Sequence, residues 1–409
     1  MQGSDEILFL AHRLPFPPDR GDRIRSAHVL RALAQIAPVH IGCFVDAKAD
    51  RAHEGEVASL AASACVVTRR KPLPLAGVEA MVKGEPVSLA AYAHSGLSRW
   101  VEGKLASGRI GAVYVFSGQM GQFVPPSWKG RLVVDLCDVD SAKFEAYARD
   151  TRGPMAVIHA REARLLAKVE AGLAARANHT LLISAQEAAL FESRAPQARS
   201  IRVMGNGIDA DHFAPGRVKA APAMQGAGPH LLFTGQMDYP PNIAAASRMA
   251  RQILPLVQRA SPGAQFHIAG RSPAPEVRAL GSLPGCTVHG AVPDMRPFLA
   301  GADIVVAPLA IARGVQNKVL EAMAMARPVV LSEGAATGIP ARNGEHFAIG
   351  GDDADFAAQI QTLLTDRAFA RAMGDAARRF VVERQSWPAM LADLPCLLDI
   401  PPQEARNAA

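Results

Sequence analysis

Short apolar runs that recur along the chain constrain its fold more than any other feature. Each is three to seven residues long and is followed by a segment of helix formers: 7–11 (ILFLA), 39–45 (VHIGCFV), 65–68, 112–116 (AVYVF), 132–136 (LVVDL), 180–184 (TLLIS), 230–234, 265–269, 303–307 (DIVVA) and 329–331. Continuous apolar character is typical of strands buried on both faces of a parallel sheet. The sequence therefore predicts an α/β fold with parallel sheets, and it predicts 180–184 as the last strand of the first half.

The length and one shift in composition indicate two domains. At 409 residues the chain is long for a single domain, and the stretch 214–229 is rich in Ala, Pro and Gly, as linkers often are. The order strand, loop, helix restarts after this stretch. We predict an N-terminal domain at 1–205, a C-terminal domain at 206–385, and a tail at 386–409 that crosses back to the first domain. Two such domains would place their ligand loops in one interdomain cleft.

The distribution of charge favours an anionic partner for the first domain. Residues 1–205 contain 26 Lys and Arg against 20 Asp and Glu, whereas the rest of the chain contains 18 of each. A phospholipid surface, a lipid-linked phosphate or a nucleic acid would complement this charge, and an ordinary basic surface is the alternative. Four basic residues of the helical segment 155–177 fall near one face and would suit a peripheral membrane contact, although a solvated face is commoner: Arg161, Arg164, Lys168 and Arg176.

The remaining composition predicts a globular protein of a reducing compartment. No apolar run approaches the roughly 20 residues needed to span a bilayer, and the acids before the first apolar run favour a strand over a signal peptide. The five cysteines are widely spaced, and the 12 histidines form no zinc-binding pattern. We therefore expect a cytoplasmic protein with no bound metal and no cofactor.

The stretch that is most informative about function is 307–330, APLAIARGVQNKVLEAMAMARPVV. A loop containing Gly314 leads from a strand into a helix predicted at 316–326. The N-terminus of such a helix presents unpaired N–H groups and suits a phosphate. Lys318 in the first turn would add a positive charge, and Glu321 one turn further would accept hydrogen bonds from a ribose. The alternative is an ordinary βαβ unit in which both side chains are solvated.

A second candidate ligand loop lies between the first strand and a helix predicted at 26–35. Its sequence, HRLPFPPDRGDRIR, contains prolines that exclude a helix, and Gly21 would let the backbone approach a ligand closely. Three arginines offer forked donors for a phosphate or a carboxylate: Arg20, Arg23 and Arg25. A solvated basic loop is the alternative.

Two carboxylates follow the strand at 132–136. Asp138 and Asp140 lie at the carboxyl end of a predicted central strand, where polar ligand contacts and acid–base groups are common. The structural alternative is that Asp140 or Ser141 caps the next helix, predicted at 143–147. We assign the cap to Asp140 and regard Asp138 as the stronger functional candidate.

Six motifs in this order resemble glycosyltransferase family 4-type enzymes of GT-B fold: 12–30 (HRLPFPPDRGDRIRSAHVL), 138–149 (DVDSAKFEAYAR), 152–166 (RGPMAVIHAREARLL), 206–213 (NGIDADHF), 233–242 (FTGQMDYPPN) and 314–330 (GVQNKVLEAMAMARPVV). More narrowly, they resemble the sugar transferases associated with exopolysaccharide and PEP-CTERM/exosortase systems of Gram-negative bacteria. The resemblance covers nearly the whole chain.

The resemblance implies two Rossmann-like parallel-sheet domains that face an interdomain cleft. It implies transfer of a hexose from a UDP- or GDP-sugar to a saccharide or lipid-linked saccharide acceptor in bacterial surface or exopolysaccharide assembly. Retention of the anomeric configuration, the absence of a metal and of nucleic acid, and a peripheral contact of the basic N-terminal half with the cytoplasmic face of the inner membrane are further implications.

The resemblance also implies roles for particular residues. Glu321 matches the second glutamate of the family's E-x7-E motif, which holds the donor ribose. The expected donor-binding residues are Gly21, Arg23, Gly235, Gln236, Arg271, Arg313, Gly314, Val315, Gln316, Asn317, Lys318 and Glu321. The expected catalytic residues are Asp138, Lys318 and Glu321, and the expected acceptor contacts are Arg20, Arg25 and Asp140.

Departures from the family pattern concern the donor site. The first glutamate of E-x7-E is replaced by Arg313, and the basic pair of many relatives is absent at 235–238, so Arg313 and Lys318 would take over phosphate binding. A histidine common in the N-domain of relatives has no counterpart after Leu136, where Asp138 stands. Two alternatives stay open: a GT-B nucleotide-sugar epimerase, and a non-catalytic binding or scaffold subunit of a polysaccharide-assembly complex. An oxidoreductase is disfavoured because no G-x-G-x-x-G follows the first strand.

Overall fold

The computed structural model describes residues 6–69, 71–310 and 315–400. The chain divides into two compact units. Unit 1 comprises Met1–Asn206 and Met390–Ala409, and unit 2 comprises Gly207–Ala389. Within the described ranges, no helix combines the length and the apolar character that crossing a membrane requires.

The described part of unit 1 contains a seven-stranded sheet in the order β3-β2-β1-β4-β5-β6-β7, and every neighbouring pair is parallel. The strands are β1 (Glu6–Ala11), β2 (Val39–Val45), β3 (Ser63–Thr68), β4 (Ile110–Phe116), β5 (Arg131–Cys137), β6 (His179–Leu182) and β7 (Ile201–Val203). The prediction that 180–184 is the last strand of this half is wrong, because β7 pairs with β6. β7 has only three residues and two of them are exposed, so the sequence contains no apolar run that would indicate this strand.

Helices connect the strands of unit 1. They are α1 (Gly21–Ile36), α2 (Glu54–Leu60), α3 (Leu73–Lys83), α4 (Val87–Tyr92), α5 (Ser95–Ala106), α6 (Asp140–Asp150), α7 (Pro154–Arg176) and α8 (Ala185–Arg194), with 3-10 turns at Lys48–His53 and Gly118–Phe123. α1 begins five residues earlier than predicted, because the last proline of the preceding loop is Pro18 and nothing after it opposes a helix.

The described part of unit 2 contains a six-stranded sheet in the order β10-β9-β8-β11-β12-β13, and it is also parallel throughout. The strands are β8 (His230–Thr234), β9 (Gln265–Ala269), β10 (Cys286–Gly290), β11 (Ile304–Ala307), β12 (Val329–Leu331) and β13 (Ala348–Ile349). The two-residue strand β13 was not predicted, because it is too short to form a recognisable run.

The helices of unit 2 are α9 (Pro240–Arg248), α10 (Leu254–Ala260), α11 (Pro275–Ala279), α12 (Arg296–Gly301), α13 (Asn317–Ala324), α14 (Glu333–Ala336), α15 (Asp353–Thr365) and α16 (Arg367–Arg384). A π-helical turn at Met249–Ile253 joins α9 to α10, and 3-10 turns lie at Pro222–Met224 and Leu280–Ser282. The chain ends its described part with α17 (Trp387–Met390) and α18 (Leu394–Leu398). α18 packs in unit 1, where the carbonyl of Leu397 accepts a hydrogen bond of 2.9 Å from Arg131 Nε.

The strand order places a ligand crevice in each sheet. In unit 1 the chain proceeds from β1 to β2 and β3 on one side and then crosses to β4 on the other. In unit 2 it proceeds from β8 to β9 and β10 and then crosses to β11. Loops that leave the two strands at such a reversal diverge, and the carboxyl edge between them is the usual ligand position in parallel α/β sheets.

Candidate functional site

A cavity of about 560 Å³ lies in unit 2, at the carboxyl ends of β8, β9 and β10 and beside the N-terminus of α13. Its lining residues are Thr234, Gly235, Gln236, Gly270, Arg271, Ala291, Val292, Met295, Val315, Asn317, Lys318 and Glu321. Seven of the residues predicted to bind the donor are therefore brought together by the fold.

The loops after β8 and β9 approach each other so closely that each requires glycine. Gly235 and Gly270 have φ of 153° and 158°, a region that residues with a side chain rarely adopt. A Cβ on Gly270 would lie only 1.7 Å from the carbonyl oxygen of Gly235. A Cβ on Gly235 would lie 2.9 Å from Lys318 Nζ. The two glycines thus let the backbone form the floor of the cavity next to the lysine.

Lys318 is held in place from two sides. Its Nζ donates a hydrogen bond of 2.7 Å to Asn242 Oδ1 and lies 4.6 Å from the centroid of the Phe233 ring. The Asn242 amide is oriented in turn, because its Nδ2 donates to the carbonyl of Gln236 over 2.8 Å. Burial lowers the pKa of the Lys318 amine to about 8, although the charge of Glu321 opposes the shift.

Glu321 lies one helical turn after Lys318 on the same face of α13. Burial raises the pKa of its carboxyl group to about 7, against the opposing charge of Lys318. The buried residues Val319, Leu320 and Met323 anchor the other face of the helix in the core of unit 2. The apolar pattern of α13 therefore fixes the amine and the carboxyl group toward the cavity.

The N-terminus of α13 adds backbone donors to the amine. Gln316 is the N-cap residue and its side chain does not cap the helix. Its carbonyl accepts from the N–H groups of Val319 and Leu320, so the N–H groups of Asn317 and Lys318 are the ones with no partner within the helix. Asn317 opens this turn and lines the cavity. The exposed guanidinium of Arg271 lies on the neighbouring loop and donates a hydrogen bond of 3.1 Å to Gln236 Oε1. The positive charge and the backbone donors suit the phosphates of a nucleoside diphosphate, and the buried carboxyl group suits its ribose hydroxyl groups. Arg313 and Gly314 lie outside the described residues.

The predicted ligand residues of unit 1 fall into an exposed group and a buried group. Arg20 is the exposed N-cap residue of α1, with its Nε 3.6 Å from Asp19, and Gly21 is the first residue of the helix. Arg23 is buried, and its guanidinium lies 2.9 Å from Asp50. The carboxylate partners give Arg23 a structural role in holding the loop, and its assignment to the donor stays a prediction.

The prediction that Arg25 contacts an acceptor is wrong. Its side chain is buried, and all five guanidinium N–H donors have partners inside unit 1. Two bonds of 2.9 and 3.2 Å go to the carboxylate of Asp135, which is itself fully buried. The others go to the carbonyls of Met204 and Gly205 and to Asn206 Oδ1. No donor is left for a ligand.

Asp138 and Asp140 share one lysine at the carboxyl end of β5. Lys143 Nζ lies 2.9 Å from Asp138 and 3.2 Å from Asp140. Burial disfavours the charged amine, but the two carboxylates outweigh this effect and raise the pKa of Lys143. The helix cap assigned to Asp140 is wrong, because Val139 is the N-cap residue of α6 and no side chain caps it. The acceptor and catalytic roles of the two aspartates stay predictions.

Several polar residues near the crevices were not predicted from the sequence. Asn242, which holds Lys318, is 76 positions away from it, and no local pattern signals such a contact. In unit 1, His12 follows β1, and its Nε2 lies 3.2 Å from Asp22 Oδ2 in the first turn of α1. Asp135 lies within an apolar strand, and a charge inside such a run is itself a signal of a buried ion pair.

The fold and part of the sequence match known proteins. Residues 228–366 match the family described as Glycosyl transferases group 1. Similar structures include sucrose-phosphate synthase (tll1590) from Thermosynechococcus elongatus, with 16% identity over 99% of this chain and 100% of that chain and a TM-score of 0.59. Anabaena Alr3699/HepE in complex with UDP has 14% identity over 96% of this chain and 99% of that chain, with a TM-score of 0.61. A glycosyltransferase from Rickettsia africae ESF-5 has 12% identity over 97% of this chain and 98% of that chain, with a TM-score of 0.59. No curated protein matches the chain.

The chain therefore has the GT-B fold of glycosyltransferases, and the fold class predicted from the sequence is confirmed. Within that fold, unit 2 contains a group 1 glycosyl transferase domain, and this domain holds the cavity with Lys318 and Glu321.

Proposed function

We propose that the protein is a glycosyltransferase that moves a hexose from a UDP- or GDP-sugar to a saccharide or lipid-linked saccharide acceptor. The reaction retains the anomeric configuration and needs no metal. Its setting is bacterial surface or exopolysaccharide assembly, in the cytoplasm or on the cytoplasmic face of the inner membrane, where the basic N-terminal half meets lipid.

The observation that carries the proposal is the chemistry of the unit 2 cavity. Departure of a nucleoside diphosphate leaves negative charge on the β-phosphate, and without a metal this charge must be stabilised by protein donors. The Lys318 amine and the backbone N–H groups of Asn317 and Lys318 supply a cation and hydrogen-bond donors at one point of the cavity. The partial burial of Lys318 strengthens its interaction with an anion, because less water screens it.

Each cavity residue has a part in the proposed binding mode. Lys318 and the α13 amides bind the diphosphate, together with Arg313 and Gly314. Glu321 accepts hydrogen bonds from the ribose hydroxyl groups, and Arg271 lies on the loop that faces the nucleotide. In unit 1, Asp138 orients the acceptor hydroxyl group.

The relatives support the choice of a nucleotide donor. The family matched by residues 228–366 is a glycosyl transferase family. The Anabaena protein Alr3699/HepE, of the same fold, has been crystallised with UDP and with UDP-glucose. UDP is therefore the first nucleotide to test, and GDP is the second.

A thermal-shift panel tests donor binding. UDP, GDP, ADP and dTDP are added to the wild type, to Lys318→Met, and to Lys219→Met as a control at an exposed lysine of unit 2. A ligand at ~100 times its dissociation constant stabilises the folded state by about 2.7 kcal/mol. We expect one nucleotide to shift the wild type and the control, with the shift reduced in Lys318→Met. No shift with any nucleotide would favour a scaffold subunit.

A turnover assay with the sugar conjugate of that nucleotide tests the reaction. We expect sugar transfer to an added saccharide or lipid-linked acceptor, at a rate that EDTA does not change. The anomeric configuration of the transferred sugar, determined by NMR, should be the same in the product as in the donor. Conversion of the nucleotide-sugar without any acceptor would instead indicate an epimerase.

A further inference from the structure

Helix α3 of unit 1 packs with its small residues inward and its large apolar residues outward. Ala76 and Ala80 are fully buried. On the opposite face, Val82 is 83% exposed, and three more side chains are between 58% and 67% exposed: Leu75, Val78 and Met81. Leu73, the first residue of the helix, is 63% exposed as well. An ordinary surface helix has the reverse arrangement, with large apolar residues against the core.

The first turns of α7, near the end of α3, add three exposed apolar residues. Met155, Val157 and Ile158 are exposed, with Val157 at 71%. One turn further, Arg161 donates hydrogen bonds of 2.8 Å to the carbonyl of Ala80 and 3.2 Å to that of Glu85, which docks α7 against the end of α3. We call the eight exposed residues of both helices the apolar surface: Leu73, Leu75, Val78, Met81, Val82, Met155, Val157 and Ile158. They are about half of the large exposed apolar residues in the described part of the chain.

Exposed cations flank the apolar surface. Arg152 lies two residues before the start of α7, and Arg164 and Lys168 follow Val157 at a spacing of 7 and 11 residues, which places them on one stripe of the helix. All three are exposed, and the ion pairs of the described residues do not include them. Of the four basic residues of α7 that the sequence places near one face, only Arg164 and Lys168 are therefore both exposed and without an ion pair in the part of the chain that the structure describes.

The other two cations of that set serve the interior. Arg161 docks α7 on α3, and Arg176 donates to the carbonyls of Val124 and Pro125 over 2.8 and 3.0 Å. Arg164 and Lys168 alone remain available to a partner, next to apolar side chains. A face with large apolar residues and adjacent unpaired cations is typical of segments that lie in the interface of an anionic bilayer.

We propose that the apolar surface inserts into the interface of an anionic lipid bilayer, with Arg152, Arg164 and Lys168 at the level of the lipid phosphates. The alternative occupant, a second copy of the chain, fits less well, because a two-fold interface here would bring the same cations of both copies together. The inference rests on the proposed function for its setting, a membrane with lipid-linked acceptors, but its physical basis is this surface alone.

Vesicle co-sedimentation of the full chain tests the proposal. Phosphatidylcholine vesicles with and without phosphatidylglycerol are compared for the wild type, Val82→Asp/Val157→Asp, and Val382→Asp, a control at an exposed valine of α16. We expect the wild type and the control to bind the anionic vesicles. Two lost apolar anchors should weaken binding by roughly a hundredfold.

A second pair of variants tests the cations. Arg164→Gln/Lys168→Gln should weaken binding to anionic vesicles by roughly thirtyfold and reduce its salt dependence, since each cation near such a surface contributes about fivefold. Arg199→Gln/Arg202→Gln, exposed at the β7 edge of unit 1, should bind as the wild type does.

Three outcomes would overturn the proposal: no binding of the wild type to anionic vesicles, an equal loss in the matched controls, or a dimer in light scattering that Val82→Asp/Val157→Asp abolishes without any vesicle binding. The shift of the melting temperature by UDP is measured for every variant. Because the cavity lies in unit 2, a variant of the apolar surface can lose vesicle binding and still be stabilised by UDP. Such a variant shows that the membrane contact has failed while the proposed donor site is intact. The same melting curves show that each variant is folded.

Discussion

Replacing Lys318 by methionine is expected to stabilise the protein in the absence of ligand. Burial depresses the pKa of the amine from 10.5 to about 8, with Glu321 opposing the shift. A shift of this size corresponds to a cost of roughly 3 kcal/mol in the free energy of folding while the amine is charged. Methionine keeps the apolar stem and removes the charge, and the lost hydrogen bond to Asn242 offsets about 1 kcal/mol. The net gain at pH 7 should be about 2 kcal/mol.

The pH dependence of this gain follows from the sign of the shift. Below pH 8 the amine is charged in both the folded and the unfolded chain, so the cost of burying it is fully present. As the pH rises from 8 to 10.5, the folded protein loses the proton before the unfolded chain does, and the cost disappears. The difference in the free energy of unfolding between Lys318→Met and the wild type should therefore shrink across this interval.

The same substitution is expected to weaken nucleotide binding. A hydrogen bond from an ammonium group to a phosphate oxygen contributes about 1.5–3 kcal/mol. Its loss should raise the dissociation constant for UDP by roughly tenfold to a hundredfold. Stability and binding thus move in opposite directions, which a simple disruption of the fold would not produce.

Urea unfolding at pH 7 and pH 9.5 measures the stability, and isothermal titration calorimetry measures the UDP affinity. Lys219→Met, at an exposed lysine of unit 2, should change neither quantity. A less stable Lys318→Met protein with unchanged affinity would refute the reasoning, because Lys318 would then be a structural residue of α13 and not a ligand of the phosphate.

Three further predictions concern other parts of the chain. Gly270→Ala should abolish the thermal shift by UDP, because its Cβ would displace the carbonyl of Gly235, 1.7 Å away; a retained shift would show that the loop relaxes without closing the cavity. Arg25→Met should lower the free energy of unfolding by about 3–5 kcal/mol in urea titrations, because Asp135 stays buried without its partner; a raised acceptor KM at unchanged stability would restore the acceptor role. Burial, with the charges of two neighbouring histidines, lowers the pKa of His267 to about 4. The neutral ring is favoured in the folded state, so stability should be full above pH 6.5 and fall by roughly 3 kcal/mol toward pH 4. In His267→Phe this slope should be smaller, and an equal slope would place the acid sensitivity elsewhere.

The strands of both sheets and the local part of the candidate site could be predicted from the sequence alone. Strands buried on both faces need continuous apolar side chains, so the runs 39–45, 230–234 and 265–269 coincide with β2, β8 and β9. Lys318 and Glu321 were identified for a similar reason, because the spacing of three residues along one helix is a local property that needs no tertiary contact. A signal of this kind fails for β7 and β13, which are too short to carry one.

Properties that depend on residues distant in sequence could not be predicted in this way. The five bonds of Arg25 join it to residues 110 to 181 positions away, and they turn a candidate ligand residue into part of the core. The pKa values of Lys318 and Glu321 depend on how deeply the fold buries them, which the residue types alone do not specify. Helix α3 is the clearest case, because its apolar sequence would suit the core. Its large side chains point outward because Ala76 and Ala80 pack in the core of unit 1, and burying one face of a helix leaves the opposite face exposed.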